Sequence, residues 1–374
     1  MAAPGSAIRI GVPRESRVGE TRVAATPDSI KKLKKKGFHV CVERGAGTLA
    51  QYPDAAYEAA GAELVDTVTA WGADVVTKIH KPSSAELKLL KKGSVFISLL
   101  EPYAKDGTLE ALAAAGVDSL ALEWIPRTSR AQSMDVLSSQ AGVAGYRAVL
   151  ESATHYGRFF PMSMTSAGSV KACKFCVLGV GVAGLQAIAT ARKLGAIVEA
   201  YDVRPEVRDQ IISLGAKPID LDIGESGTGT GGYAKELSEE AKRKQQELLA
   251  QKLKAFDIIV TTANIPGRKS PTLVVEDVVK GMRAGSVIVD MAAANGGNCP
   301  LTEADKVVVK HGVKLIGITN YPALTPTDAS HFFGMNCVNL LDVLFEKDTR
   351  NLNMADDIVA AACATKQGAL CRPQ

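Results

Sequence analysis

The chain has 374 residues, 46% of them in the hydrophobic set and only 5% aromatic, which suits two globular domains with a core each rather than one. Its 44 basic and 40 acidic residues are mixed along the whole length and leave a formal charge of +4, too weak and too dispersed to point to a nucleic-acid partner. Residues 1–6 hold neither an apolar signal core nor an Arg-rich amphipathic stretch, and no run of about 18 apolar residues occurs anywhere, so the chain is expected to be soluble by itself.

In chain order, apolar stretches over 8–12, 38–42, 74–79, 94–100 and 118–122 predict strands, with Gly37, Gly61, Gly93 and Gly116 punctuating the helices between them. The first helix begins after Thr26-Pro27 and ends in the basic run Lys31, Lys32, Lys34, Lys35 and Lys36, which reads as a solvated face at the negative end of the helix dipole. Strands alternating with helices imply a parallel α/β sheet. From about 130 to 155 the pattern lengthens into a helical stretch, interrupted by Gly142 and Gly145, that carries the chain from one domain into the next.

A second α/β region follows, with strands expected over 174–178, 197–201, 217–221, 257–262, 286–290 and 314–317, the size of a dinucleotide-binding sheet. Between the third and fourth lies Gly224-Glu225-Ser226-Gly227-Thr228-Gly229-Thr230-Gly231-Gly232-Tyr233, too Gly-rich to pack and too long for an ordinary connection, hence a mobile loop. A polar helix over 235–253 comes next, and from about 327 to the end an Ala-rich helical periodicity is expected to pack back on the first domain.

Seven cysteines are scattered from Cys41 to Cys371, an odd number without even spacing that argues for a reducing compartment over a secreted disulfide framework. Cys173-Lys174-Phe175-Cys176 has the spacing of a redox or zinc pair, but it lies where a strand enters a Gly-rich turn and no second pair follows. His80, His155, His311 and His331 show no metal-ligand spacing among themselves, and no metal is expected.

The turn itself, Gly179-Val180-Gly181-Val182-Ala183-Gly184, fits the dinucleotide fingerprint with an apolar strand leading in and an Ala-rich helix leading out. Gly179 permits a tight turn, Gly181 lets the backbone approach a pyrophosphate, and Gly184 allows close helix-to-strand packing, with the helix N-terminus favouring phosphate charge. Asp202 closes the next strand 18 residues past Gly184, where a carboxylate can accept hydrogen bonds from both adenosine ribose hydroxyls and select NAD(H). Two alternatives stay open there. Arg204 can pair with a 2′-phosphate, and Asp202 can cap the segment that starts at Pro205.

One stretch carries a family resemblance: Arg127-Thr128-Ser129-Arg130-Ala131-Gln132-Ser133-Met134-Asp135-Val136-Leu137-Ser138-Ser139-Gln140. With Gly145-Tyr146-Arg147, the glycine turn, Gly231-Gly232-Tyr233-Ala234-Lys235-Glu236, the N-terminal Pro13-Arg14-Glu15 and Gly19-Glu20-Thr21-Arg22-Val23-Ala24, and Gly296-Gly297-Asn298-Cys299-Pro300, it resembles the NAD(H)-binding component of proton-translocating nicotinamide nucleotide transhydrogenases. That family belongs with the alanine dehydrogenases.

The resemblance implies two Rossmann-like α/β domains with parallel sheets separated by a cleft. The first, flavodoxin-like and alanine dehydrogenase-like, is expected over 1–143 plus 327–374, and the NAD(H)-binding domain over 144–326. It further implies a homodimer, NADP(H) held on a partner domain or subunit, and a membrane-embedded proton-channel component, with the chain peripheral to the membrane in a bacterial cytosol or mitochondrial matrix. By the same resemblance Arg127, Gln132 and Asp135 hold the nicotinamide end, Ser138 sits close to the carboxamide, and Gln132 reaches toward the partner's nucleotide. Thr128, Ser129, Leu137, Val180, Val182, Val203, Arg204, Gly232, Gln245 and Asn264 match further cofactor contacts, and Tyr233 helps close the mobile loop. At Asn264 many relatives carry Leu, so that contact is expected through the backbone.

Alanine dehydrogenase itself is the competing function. Reductive amination of a keto acid moves protons on nitrogen and oxygen, so it needs an acid/base group and a carboxylate clamp. The stretches that carry its Lys and His align with Lys78-Ile79-His80-Lys81-Pro82 and Phe96-Ile97-Ser98-Leu99-Leu100, where His80 stands for the Lys and Leu100 for the His. Arg22, the expected clamp, is kept. Hydride exchange between two nicotinamides needs only two aligned rings, with C4 atoms about 3 to 3.5 Å apart. Arg127, Gln132, Asp135 and Ser138 suffice for that as orienting groups. From spacing alone Asp135 reads equally as a helix cap, with Arg127 pairing to it on the surface. A non-catalytic NAD-binding module is the third reading.

Overall fold

In a computed structural model, which describes residues 8–227, 237–264, 267–345 and 351–372, the apolar stretches of the first third become β1 (Arg9–Val12), β2 (His39–Glu43), β3 (Glu63–Val65), β4 (Val75–His80), β5 (Val95–Leu99) and β6 (Asp118–Ala121). They pair in parallel in the order β6-β5-β4-β1-β2-β3, and a C-terminal hairpin, Cys363–Lys366 with Ala369–Leu370, extends the sheet antiparallel beyond β6. Alternating side chains feed opposite faces. Ile10, Val12, Ile97 and Leu120 face a core shared with Ile30 of the helix Pro27–Lys35 and with Phe333 and Leu341 of the helix Pro326–Leu344. Val76, Phe96 and Ala121 face the other core, where Trp71 stacks on Phe96 at 6.0 Å. Gly11 is required between these layers, because a Cβ there would lie 1.9 Å from the Ala70 carbonyl oxygen.

The chain divides into two units, residues 1–140 with 322–374, and residues 141–321, and the division falls inside the helix Val136–His155. That helix runs without a break, contrary to the interruption expected at Gly142 and Gly145. A helical glycine costs about 1 kcal/mol against alanine. Gly145 offsets this by close packing: a Cβ there would stand 2.1 Å from the Ala183 carbonyl oxygen.

The second unit opens with a small hairpin, β7 (Ser163–Thr165) and β8 (Gly168–Val170), absent from the strands expected on sequence. Its sheet is built from β9 (Lys174–Leu178), β10 (Ile197–Tyr201), β11 (Lys217–Pro218), β12 (Ile258–Thr261), β13 (Val287–Asp290), β14 (Val307–Lys310) and β15 (Val313–Ile316), in the order β11-β10-β9-β12-β13-β15-β14. All neighbours are parallel except β14, an antiparallel edge strand. The strand expected over 217–221 stops at Pro218, which has no N–H to donate and sits on the sheet edge. The polar helix begins later than expected, at Glu239, where the Ser238 hydroxyl caps it by accepting from the Ala241 N–H. Cys173 and Cys176 face opposite cores of this sheet, so they are strand-packing thiols and not a ligand pair.

Candidate functional site

In the second unit β9 has β10 on one side and β12 on the other, so the chain reverses its winding at the C-terminal end of β9, where open α/β sheets bind ligands. Gly179 leaves β9 in the left-handed region at φ 92°. Its N–H donates to the Tyr201 carbonyl at 2.9 Å, and its own carbonyl accepts from the Thr262 hydroxyl at 2.8 Å. A Cβ on Gly184 would lie 2.0 Å from that same Gly179 oxygen, so the helix Val182–Lys193 can approach the strand only with glycine there. Nothing lies within 4 Å of a Cβ built on Gly181. The turn therefore leaves open space in front of a helix N-terminus whose first N–H groups lack intrahelical acceptors.

Asp202 follows β10 directly. Its carboxylate accepts from the Val180 N–H at 2.7 Å and from the Arg204 N–H, Nε and Nη2 at 2.9 Å each. It therefore caps Arg204, not the segment starting at Pro205, and the hydrogen bond from Asp202 pushes the Arg204 pKa further up. A cavity of about 450 Å³ opens beside them, lined by Tyr201, Asp202, Val203, Arg204, Ile219 and Leu221 among others, within the size range of small-molecule sites. Val203 is also pressed by Gly227, whose N–H donates to its carbonyl at 2.9 Å. An open phosphate turn, a carboxylate next to it and a cavity beyond that carboxylate fit a dinucleotide.

The remaining candidates in this unit fall into three situations. Val180 is buried and Val182 is exposed on the first helical turn. Gln245 is buried, with its amide donating to the Tyr201 hydroxyl at 3.1 Å, so it braces the residue before Asp202. The Asn264 side chain is exposed, and its carbonyl accepts from Asn295 at 2.9 Å and Ser270 at 3.3 Å. Gly232 and Tyr233 lie outside the described residues.

In the first unit Thr128 precedes a 3-10 turn, Ser129–Met134, that leads through Asp135 into the helix Val136–His155. Arg127, Thr128, Ser129 and Gln132 are exposed, whereas Asp135, Leu137 and Ser138 are half-buried. Asp135 acts as a helix cap: the Ser138 N–H donates to Oδ1 at 2.9 Å and the Ser138 hydroxyl to Oδ2 at 2.6 Å. The turn is tied down at Arg130, which donates to both oxygens of Asp356 at 2.7 and 2.9 Å and also pairs with Asp357.

Sequence reasoning did not foresee how Arg22 is held. Its Nε and Nη2 donate to the two oxygens of Glu20 at 2.8 and 2.6 Å, and Nη1 donates to Gln140 at 2.8 Å, all buried. Glu20 also contacts His80 Nε2 at 2.7 Å. Against the upward push of burial, the bonds from Arg22 and His80 hold Glu20 well below the usual carboxylate range, while burial lowers the His80 pKa. A substrate carboxylate would have to take Arg22 away from Glu20.

His39, which no motif singles out, converges with Cys41 and Glu63 across β2 and β3, the one group of metal-ligand side chains found among the described residues. Arg9 already places its guanidinium 3.2 Å from the Cys41 sulfur and 3.8 Å from Glu63, so a cation stands in that position. Among the described residues no helix is long and apolar enough to cross a membrane.

Comparison with known proteins bears on the whole chain. The families described as "Alanine dehydrogenase/PNT, N-terminal domain" and "Alanine dehydrogenase/PNT, C-terminal domain" match residues 11–144 and 148–373. An NAD(P) transhydrogenase alpha subunit of Rhodospirillum rubrum is 46% identical over 98% of both chains. The crystal structure of transhydrogenase from Sinorhizobium meliloti superposes with a TM-score of 0.89 at 43% identity, over 97% of this chain and 99% of that one. A solved L-alanine dehydrogenase gives a TM-score of 0.82 at 25% identity, over 98% and 97%. The chain thus belongs to the alanine dehydrogenase/PNT family, within its branch of NAD(P) transhydrogenase alpha subunits.

Proposed function

We propose that this chain is the NAD(H)-binding component of a proton-translocating nicotinamide nucleotide transhydrogenase, catalytic only together with a partner that holds NADP(H). The observation that carries this function is the end-to-end likeness to a named NAD(P) transhydrogenase alpha subunit. The protein works as a homodimer, and a membrane-embedded component of the same complex couples hydride transfer to proton movement.

When bound, NADH supplies the hydride. The protein's role is to bind and orient. Asp202 accepts from the adenosine ribose hydroxyls, Gly181 lets the pyrophosphate reach the first turn of the helix Val182–Lys193, and Val203 and Arg204 flank the adenosine. Asp135 fixes the Ser138 hydroxyl by its 2.6 Å bond, so that Ser138 meets the carboxamide in one orientation, with Arg127 beside it and Gln132 turned to the partner's nucleotide. Thr128, Ser129, Leu137, Gln245, Asn264, Gly232 and Tyr233 complete the contacts. No proton moves on a substrate oxygen or nitrogen, so polar positioning groups suffice.

Mixing the purified chain with an NADP(H)-binding transhydrogenase subunit tests this: NADH should reduce an oxidised NAD analogue rapidly, and only when NADP(H) is present. Absence of exchange with a competent partner sinks the proposal, and NADH binding without turnover in any mixture points to a nucleotide sensor. Alanine dehydrogenase activity is disfavoured because Arg22 is engaged by Glu20 and Gln140, and His80 and Leu100 stand where that enzyme's Lys and His align. NADH oxidation by the chain alone with pyruvate and ammonia would revive it.

A further inference from the structure

The C-terminal hairpin holds two thiols that the proposed function does not use. Its strands join through Gln367 and Gly368, both left-handed at φ 50° and 84°, the backbone of a two-residue hairpin turn whose twist matches the strands. The ladder continues past the second strand, where the Cys371 N–H donates to the Ala364 carbonyl at 2.9 Å. That pairing, with an irregular register between Cys363 and Thr365, brings the Cys363 and Cys371 sulfurs to 3.1 Å. A disulfide needs sulfurs at about 2.05 Å, so a small side-chain movement separates contact from a bond. Of the seven cysteines, six are buried and Cys371 alone is exposed.

We propose that Cys363 and Cys371 form a reversible disulfide, a redox modification site whose co-substrate is a small soluble disulfide. Burial pushes the Cys363 thiol up, so Cys371 is the thiol that meets solvent and attacks first. The Cys371 sulfur bonds to one sulfur of the small disulfide and releases the first small thiolate. Cys363 then attacks the Cys371 sulfur and releases the second. The two cysteine sulfurs are oxidised, the small disulfide is reduced to two thiols, and the two protons lost by the cysteines end on them.

The bond fastens a segment that already grips the loop carrying Arg127 to Asp135. Arg372, next to Cys371, lies over the Trp124 ring at 4.9 Å. Asp356, which binds Arg130, caps the helix Asp357–Ala362 that leads straight into Cys363. Oxidation therefore braces both flanks of that loop from one side.

Intact-protein mass and native thiol counting with oxidised glutathione as the probe decide the matter. The reduced protein should expose one fast-reacting thiol. After oxidised glutathione it should expose none, weigh two hydrogens less, give a linked peptide containing Cys363 and Cys371, and recover with dithiothreitol. Cys371→Ser should show neither the fast thiol nor the mass loss, and Cys363→Ser should stop at the glutathione adduct. Amide exchange at Ala369 and Leu370 should slow on oxidation in the parent only. A stable glutathione adduct on the parent, a link between other cysteines, or unchanged exchange at those amides in the linked protein each overturns the proposal.

Discussion

Arg204 folds back onto Asp202, with Nε reaching Oδ1 and Nη2 reaching Oδ2 at 2.9 Å each, while the Val180 N–H reaches the same carboxylate at 2.7 Å. One side chain thus joins the end of β10 to the turn after β9 and neutralises the nearest cation. A ribose hydroxyl arriving at Asp202 meets a carboxylate already oriented, and a 2′-phosphate meets a negative charge whose arginine is engaged.

Asp202→Ala should weaken NADH binding by roughly 10- to 100-fold, the equivalent of losing charge-assisted hydrogen bonds worth about 1.5 to 3 kcal/mol, and should narrow the preference for NADH over NADPH by releasing Arg204. NADH fluorescence titration alongside circular dichroism reads both. A folded variant that binds NADH as tightly as the parent removes Asp202 from the ribose site.

Two glycine substitutions should diverge. At Gly181 a methyl group meets nothing within 4 Å, so Gly181→Ala should keep the parental melting temperature while losing NADH affinity. At Gly145 the methyl would stand 2.1 Å from the Ala183 oxygen, and Gly145→Ala should cost about 1 to 3 kcal/mol of stability through overpacking. Calorimetry with nucleotide titration distinguishes them, and equal melting temperatures for both variants would contradict the packing assigned to Gly145.

Asp135 and Ser138 divide a structural and an orienting task. Asp135→Ala removes the cap of the helix Val136–His155 and should cost about 0.5 to 2 kcal/mol, together with hydride-transfer rate. Ser138→Ala leaves the backbone N–H on Asp135, so it should spare stability and lower the single-turnover rate with the NADP(H)-binding partner. An unaltered rate in Ser138→Ala would mean that its hydroxyl serves the cap alone.

Glu15 makes the first unit's stability fall with pH. Burial raises its pKa from the ordinary value of 4.5 to about 7, against the attraction of Lys78 at 3.4 Å. Between those two values the folded state keeps a proton that the unfolded chain has released. Its contribution is therefore complete below pH 4.5 and lost as pH rises through about 7. Glu15→Gln should flatten the decline of melting temperature across that window, with Glu86 still holding Lys78 at 3.3 Å. A variant with the parental slope assigns the decline to other groups.

Much of the architecture was readable along the chain because its signals are local. β9 and β10 occupy the expected residues, 174–178 and 197–201, since an apolar run ending at glycine needs no distant partner to be recognised. Other strands escaped. β14 alternates only partly and exposes Val307 and Val309, and β7 and β8 are three residues each and mostly exposed, so neither carries the apolar burial that makes a strand visible. Gly145 reads as a helix breaker until the Ala183 backbone is seen against it.

Hydrophobic periodicity, turn glycines and the dinucleotide fingerprint decided the α/β class with two parallel sheets, because each acts over a few residues of backbone. Folding alone decided which charges and thiols meet: Arg22 with Gln140 118 residues away, Arg130 with Asp356 226 residues away, and Cys363 with Cys371 across a hairpin. Such pairings depend on distances through space, which spacing along a chain does not encode.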